Sequence, residues 1–247
     1  MKIFRLTVIG LFLLIFGVWL GSDLTDKFTA NEADEFPSAT VLKVPVPIFQ
    51  ISLTDHNGQN FRVRGFAKKW TFMFFGYTHC PDVCPMALVD LNAVYHNLVE
   101  KGDRIFKKYN IDTQFILVTV DPQRDTAGEL KEYIPYFNKN FIGLTAEPDM
   151  IEKLAQPLGV SYIRMPGKDS EGDYYIDHSS SFLLIDPLGR LRAYFPPPHD
   201  PEQVAEDFRR IRNKYTEECC RTNITFEYIK LGDEDEDEYE DDKEGNR

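Results

Sequence analysis

The sequence predicts an α/β layered sheet, and three observations point to it. Two runs, 70–77 (WTFMFFGY) and 114–120 (QFILVTV), are almost wholly apolar, as strands covered on both faces must be. Stretches with helical apolar spacing stand between the strand candidates. An Asn57-Gly58 pair between short alternating segments marks a hairpin.

Taken in order, residues 48–53 and 61–63 read as strands around the turn Asp55-His56-Asn57-Gly58. Strand 70–77 follows. Pro85 can then open a helix, because its missing N–H falls where no intrahelical bond is made. Leu88, Leu91, Val94, Tyr95 and Leu98 form its apolar stripe, which ends near Gly102. Next come strand 114–120, an amphipathic helix over 126–137, strand 142–145 and a helix over 148–158. Residues 174–185 read as one long strand, and Asp186-Pro187-Leu188-Gly189 turns the chain into a last strand, 190–195. Asp200 caps the final helix, with Val204, Phe208 and Ile211 on one face.

Length and charge bound the function. A chain of 247 residues, 43% of them apolar, can bury one sizeable core and is neither fibrous nor wholly disordered. Its charge of −12 argues against a nucleic-acid partner, since such affinity comes from neutralising phosphates. That charge is unevenly spread. Residues 232–247 hold ten acidic and two basic side chains, −8 of the total, which leaves −4 for residues 1–231. So charged a segment, with one aromatic and no aliphatics, reads as a disordered acidic tail, and residues 217–247 are assigned to it.

The other end reads as a membrane anchor. Lys2 and Arg5 precede a run from 6 to 21 broken only by Thr7, with Trp19 near its outer end. As a helix it spans ~24 Å, slightly short of the ~30 Å hydrocarbon core. No A-x-A-like cleavage site follows, so an uncleaved signal anchor over residues 1–21 is preferred to a removed peptide. The basic flank stays inside, which exports the remainder. The plainest location is a bacterial inner membrane, single-pass, with the folded domain in the periplasm. Residues 22–45 read as a linker and 46–216 as the folded domain.

Chemistry concentrates in Cys80-Pro81-Asp82-Val83-Cys84-Pro85, at the C-terminal end of strand 70–77 and the start of a helix. Open α/β sheets build their sites at that edge. With Pro85 as the first helical residue, Cys84 sits near the N-cap, where the helix dipole favours thiolate. The two sulfurs can close a disulfide or share a soft metal ion, Cu(I) or zinc. A stapling disulfide fits poorly, because no large loop needs closing. A metal would need a third ligand, and imidazole is the commonest. His56 belongs to a turn and reads as solvated, His96 lies ~18 Å along the helix, and His199 follows three prolines. His178, at a strand start, is preferred to His79, which neighbours Cys80, but the pattern leaves both open.

Three blocks together resemble the Sco/SenC family. They are Gly76-Tyr77-Thr78-His79-Cys80-Pro81-Asp82-Val83-Cys84-Pro85, Asp121-Pro122-Gln123-Arg124-Asp125, and Asp177-His178-Ser179 leading into Leu184-Ile185-Asp186-Pro187. The similarity runs from about Val46 to Tyr215. It implies a thioredoxin-like fold, a central mixed sheet flanked by helices, with the hairpin as an extra element. It also implies one copper ion, as Cu(I) or also Cu(II), held by Cys80, Cys84 and His178. The implied partner is cytochrome c oxidase subunit II, whose binuclear copper site the family helps assemble. Other copper chaperones or thiol reductants would feed the cycle.

Two functions from different classes follow. One is a copper metallochaperone that delivers its ion by ligand exchange. The other is a thiol–disulfide oxidoreductase that reduces the copper-ligand cysteines of subunit II through the pair Cys80 and Cys84. The chaperone is preferred. The Asp121–Asp125 block reads as the start of a helix with Arg124 paired locally, or as an element that docks a partner or orients the site. Cys219-Cys220 receive no function.

Overall fold

The computed structural model describes residues 35–49, 51–100, 112–167 and 173–222. Its strands are β1 (Thr40–Pro47), β2 (Ser52–Asp55), β3 (Asn60–Arg62), β4 (Lys69–Gly76) and β5 (Asp112–Thr119). They continue as β6 (Ile142–Thr145), β7 (Tyr162–Pro166), β8 (Tyr174–His178), β9 (Phe182–Ile185) and β10 (Arg190–Phe195). The helices are α1 (Val83–Tyr95), α2 (Ala127–Tyr133), α3 (Pro148–Ala155) and α4 (Pro201–Thr222). The chain divides into two units, Met1–Pro37 and Ser38–Arg247, and everything below concerns the second.

Eight strands form one mixed sheet in the order β1-β10-β9-β4-β5-β6-β2-β3. Its centre is parallel, β4 to β5 and β5 to β6, and antiparallel neighbours flank it on both sides. Every residue of β4 from Trp70 to Gly76 is buried, which is why that run needs no polar alternation. Phe72, Phe74 and Gly76 share one face of the pleat. Phe72 stacks on Phe115 at 5.3 Å between ring centres and meets Phe208 of α4 at 5.2 Å. Val204, Phe208, Ile211 and Tyr215 supply the buried stripe of α4.

Local signals explain the ends of several elements. Asp55 accepts from the N–H groups of Asn57 and Gln59, both at 2.8 Å, and Gly58 takes a left-handed φ of 78° to close the hairpin. Thr126 caps α2 by accepting the Glu129 N–H at 3.2 Å. Asp200 does the same for α4 toward Glu202 and Gln203.

Five boundaries differ from the sequence reading. Residues 40–45, read as linker, belong to β1, which covers the edge of β10. Strand 48–53 starts late, at Ser52, because Ile48 instead donates its N–H to the Gly189 carbonyl at 2.9 Å. Helix α1 starts at Val83 with Asp82 as N-cap, so Cys84 is its second residue rather than its cap. The helix over 126–137 tightens into a 3₁₀ turn at Ile134–Tyr136, where Pro135 lacks the N–H that an α-helix needs. The long strand over 174–185 is two strands in two sheets. β8 leaves the main sheet to pair with β7, an element the sequence reading missed, and Ser179-Ser180-Ser181 makes the crossing.

Helix α4 continues through Thr222, so residues 217–222 of the expected tail are helical. The anchor run 6–21 and the acidic residues 232–247 lie outside the described residues. Among the described residues no helix is long and apolar enough to cross a membrane.

Candidate metal centre

Strand β4 ends at Gly76, and the chain passes through Tyr77, Thr78 and His79 to Cys80 before α1 begins. Cys84 is fully buried, and its Sγ lies over Gly76: a Cβ there would come within 3.2 Å of that sulfur and 2.8 Å of the Phe74 ring. Only glycine leaves this room. Cys80 is partly exposed, and its Sγ accepts the Cys84 N–H at 3.4 Å. That sulfur therefore takes up a free donor in the first turn of α1, where Asp82 makes no side-chain cap.

The electrostatics separate the two thiols. A hydrogen bond from Cys84 chiefly holds the Cys80 thiol down to about 3, with further bonds from His178 and from the backbone of Cys84 and Asp82. Burial works against this and is outweighed. Cys84 moves the opposite way, far above the ordinary thiol range, because its proton bonds to Cys80 and because it is buried. The reduced pair thus shares one proton, with Cys80 as thiolate and Cys84 as thiol.

His178 arrives from the end of β8. Its Nδ1 lies 2.9 Å from the Ser179 carbonyl oxygen. A carbonyl can only accept, so Nδ1 carries a hydrogen, and Nε2 is the nitrogen turned toward the sulfurs. That Nε2 is 3.1 Å from Cys84 Sγ. The ligand atoms of Cys80, Cys84 and His178 all lie within 4.8 Å of one another, and together they could hold a metal ion. Phe74 and Tyr77 meet the imidazole edge-on, at 6.0 and 5.8 Å, and fix its plane.

Of the two histidines left open by the pattern, the structure brings His178 to the sulfurs. His79 points to Asp125 instead, with Nδ1 2.9 Å from Thr78 Oγ1 and 3.7 Å from the carboxylate. His56 is not a free turn residue: its Nδ1 accepts the Gly143 N–H at 3.0 Å and ties the hairpin to β6. His199 stacks on Phe182 at 3.7 Å and donates to the Phe195 carbonyl, and burial lowers its pKa.

Several supporting residues escaped the sequence reading. Asp125, fully buried, accepts from Thr78 through N–H (2.9 Å) and Oγ1 (2.6 Å) and from Thr119 Oγ1 (2.7 Å), so it moors the loop before Cys80. Tyr77 accepts the Ile176 N–H at 3.1 Å and ties that loop to β8. Arg124 does pair locally with Asp121, as expected, but it also reaches the Tyr174 carbonyl at 3.3 Å. The second motif block was the available signal for Asp121, Arg124 and Asp125. Tyr77 lies in the first motif block, though no role was read from it there, and nothing in the pattern marked Tyr174.

Comparison with known proteins agrees with this geometry. The SCO1/SenC family profile matches residues 48–213. A SCO2-like protein of Rickettsia conorii is 34% identical over 157 residues, 64% of this chain and 73% of that protein. Arabidopsis thaliana ScoI, solved with copper bound, is 30% identical with a TM-score of 0.58, covering 70% of this chain and 98% of that one. Bradyrhizobium japonicum ScoI, also solved with copper bound, is 33% identical with a TM-score of 0.56, covering 68% and 98%. The match spans β2 to β10, both cysteines and His178, and this chain belongs to the SCO1/SenC family.

Proposed function

We propose that this chain is a membrane-anchored copper metallochaperone that holds one copper ion on Cys80, Cys84 and His178 and hands it to the binuclear copper site of cytochrome c oxidase subunit II. The observation that carries the reading is the imidazole: its Nδ1–H is engaged by a carbonyl, and its Nε2 sits 3.1 Å from a cysteine sulfur. Two soft sulfurs with one imidazole suit Cu(I), and Cu(II) is accommodated by the same nitrogen. The copper-bound relatives support the choice of metal.

The residues divide the work. Cys80 is already a thiolate and partly exposed, so it meets the incoming ion first. Cys84 gives up its proton as the ion binds, and His178 closes the third position from β8. Delivery reverses this order, with ligands of the acceptor replacing those of the chain one at a time. Residues 6–21 would tether the domain to the inner membrane and keep it in the periplasm, beside a membrane-bound oxidase.

The test is a Cu(I) titration of the full-length reduced chain in detergent. One equivalent should bind, and Cys80→Ser or Cys84→Ser should abolish it. Uptake unchanged by either substitution would overturn the reading.

The partly exposed Cys80 thiolate also favours a second reading, thiol–disulfide exchange. Cys80 would attack a partner disulfide and release one partner thiolate, and Cys84 would then attack the Cys80 sulfur to release the other. Copper separates the two. Delivery needs a loaded chain, whereas reduction of oxidised subunit II proceeds with the copper-free chain and leaves Cys80 and Cys84 joined.

A further inference from the structure

The β7–β8 ribbon is a two-stranded sheet of its own, without ladder hydrogen bonds to the main sheet. An isolated ribbon of this size has no fixed place by itself. The end of β8 nevertheless supplies His178, so something must set where the ribbon sits.

Side chains do this, and they converge on one turn. Pairing of Arg164 with Ile176 and of Pro166 with Tyr174 puts Tyr174, Arg164, Ile176 and His178 on the same face of the ribbon. Tyr174 Oη donates to both oxygens of the buried Asp121 carboxylate, at 2.9 and 3.2 Å. The guanidinium carbons of Arg124 and Arg164 lie over the Tyr174 ring, 3.7 and 4.1 Å from its centre. Arg124 is also paired to Asp121, and Arg164 donates to Gln123 Oε1 at 2.9 Å. Asp121, Gln123 and Arg124 all belong to the turn that leaves β5 for α2.

We propose that Tyr174, stacked with Arg124 and Arg164 and bonded to Asp121, is a positioning latch that seats the ribbon and so places His178 at the two sulfurs. It rests on the copper reading above. The distance makes a lever: four residues of extended chain separate Tyr174 from His178, ~13 Å. With the latch released, the Tyr77–Ile176 bond is what remains to tie the middle of β8 to the cysteine loop. The latch touches neither copper nor the sulfurs, and its whole effect passes through the imidazole.

The experiment is a double-mutant cycle on the full-length chain in detergent, read as Cu(I) affinity by competition with bathocuproine disulfonate. Ligand-orienting residues typically carry about 10- to 100-fold in metal affinity. His178→Ala and Tyr174→Ala should each fall by that order, and the double variant no further than His178→Ala. Tyr174→Phe, which keeps the stack and loses the Asp121 bond, should fall less. Loading with Cu(II) supplies a readout that a merely structural role would leave alone: nitrogen hyperfine coupling, lost in His178→Ala, should weaken in Tyr174→Ala. Arg124→Lys keeps the charge but not the flat stack, and carries the test if Tyr174→Ala does not fold.

Parent-like affinity and hyperfine coupling in a folded latch variant would overturn the latch, as would fully additive losses in the double variant. If His178→Ala itself binds Cu(I) as the parent does, the copper reading fails first, and that outcome is distinct.

Discussion

The two halves of the metal centre are built in different ways. Cys84 stands on α1 against β4, whose residues from Trp70 to Gly76 are buried and whose parallel pairing with β5 is a continuous ladder. His178 stands at the end of a ribbon tied to the body by two tyrosine hydroxyls, two guanidiniums and a carboxylate. Backbone ladders fix position cooperatively, whereas side-chain ties can break singly. For the proposed carrier role, the contrast would keep two ligands in place while the third is withdrawn without unfolding the sheet.

The contrast is broken most severely at Phe74, the residue that serves both halves. Its ring is fully buried and meets Phe182 at 5.9 Å and His178 at 6.0 Å. Phe74→Ala should cost about 3–5 kcal/mol of stability, as large-to-small changes in a packed core do. It should weaken copper binding as well. Denaturant unfolding and Cu(I) competition on the same sample check both, and a loss in only one would show that the halves share nothing there.

Gly76→Ala tests the fixed half alone. The added methyl must displace the Phe74 ring at 2.8 Å and crowd Cys84 Sγ at 3.2 Å. Overpacking of this kind costs about 1–3 kcal/mol. The reduced chain should melt lower, and Cys84 should become open to alkylation. His178→Ala is the counterpart in the ribbon half. It should alter stability by about 1 kcal/mol or less, since it removes a half-buried side chain outside the sheet. If it destabilised the chain as strongly as Gly76→Ala, the ribbon would have to be counted as core.

The same contrast explains what could be read from the sequence. β4 and β5 were legible because continuous apolar runs leave few alternatives, and β6 lies where its short apolar run predicts. Cys80 and Cys84 were legible because the turn between strand and helix is local. The ribbon was not. β7 reads as Tyr162-Ile163-Arg164-Met165-Pro166, with Ile163 and Met165 exposed on either side of an exposed Arg164, so the usual alternation gives no signal. β8 and β9 lie only three serines apart and read as one strand, and long-range pairing with β7 and β4 divides them. For that reason spacing left His79 and His178 open, and the third block of the family resemblance was needed to choose. The latch was hidden for the same reason: Tyr174 lies 53 residues from Asp121 in the sequence.

The smallest expected effect concerns the two thiols, which the fold holds at opposite ends of the titration range. Cys80 is depressed to about 3 by the hydrogen bond from Cys84, while Cys84 is raised by that same bond and by burial. A depressed acid binds fewer protons folded than unfolded. Its contribution to stability is therefore fully present above the ordinary thiol value near 9 and is lost as pH falls toward 3. The nucleophile is the thiolate, so iodoacetamide should modify Cys80 in the copper-free reduced chain at a rate nearly flat from about pH 5 to 8. Cys84 should stay unmodified over that range because it is protonated and buried. Mass spectrometry of the two sites reads both at once. A Cys80 rate that climbs tenfold per pH unit up to about 8.5 would mean an ordinary thiol, and the proton shared with Cys84 would not set its reactivity. A flat profile would show that the fixed half of the site keeps one ligand permanently ionised, so that copper binding need displace only the proton of Cys84.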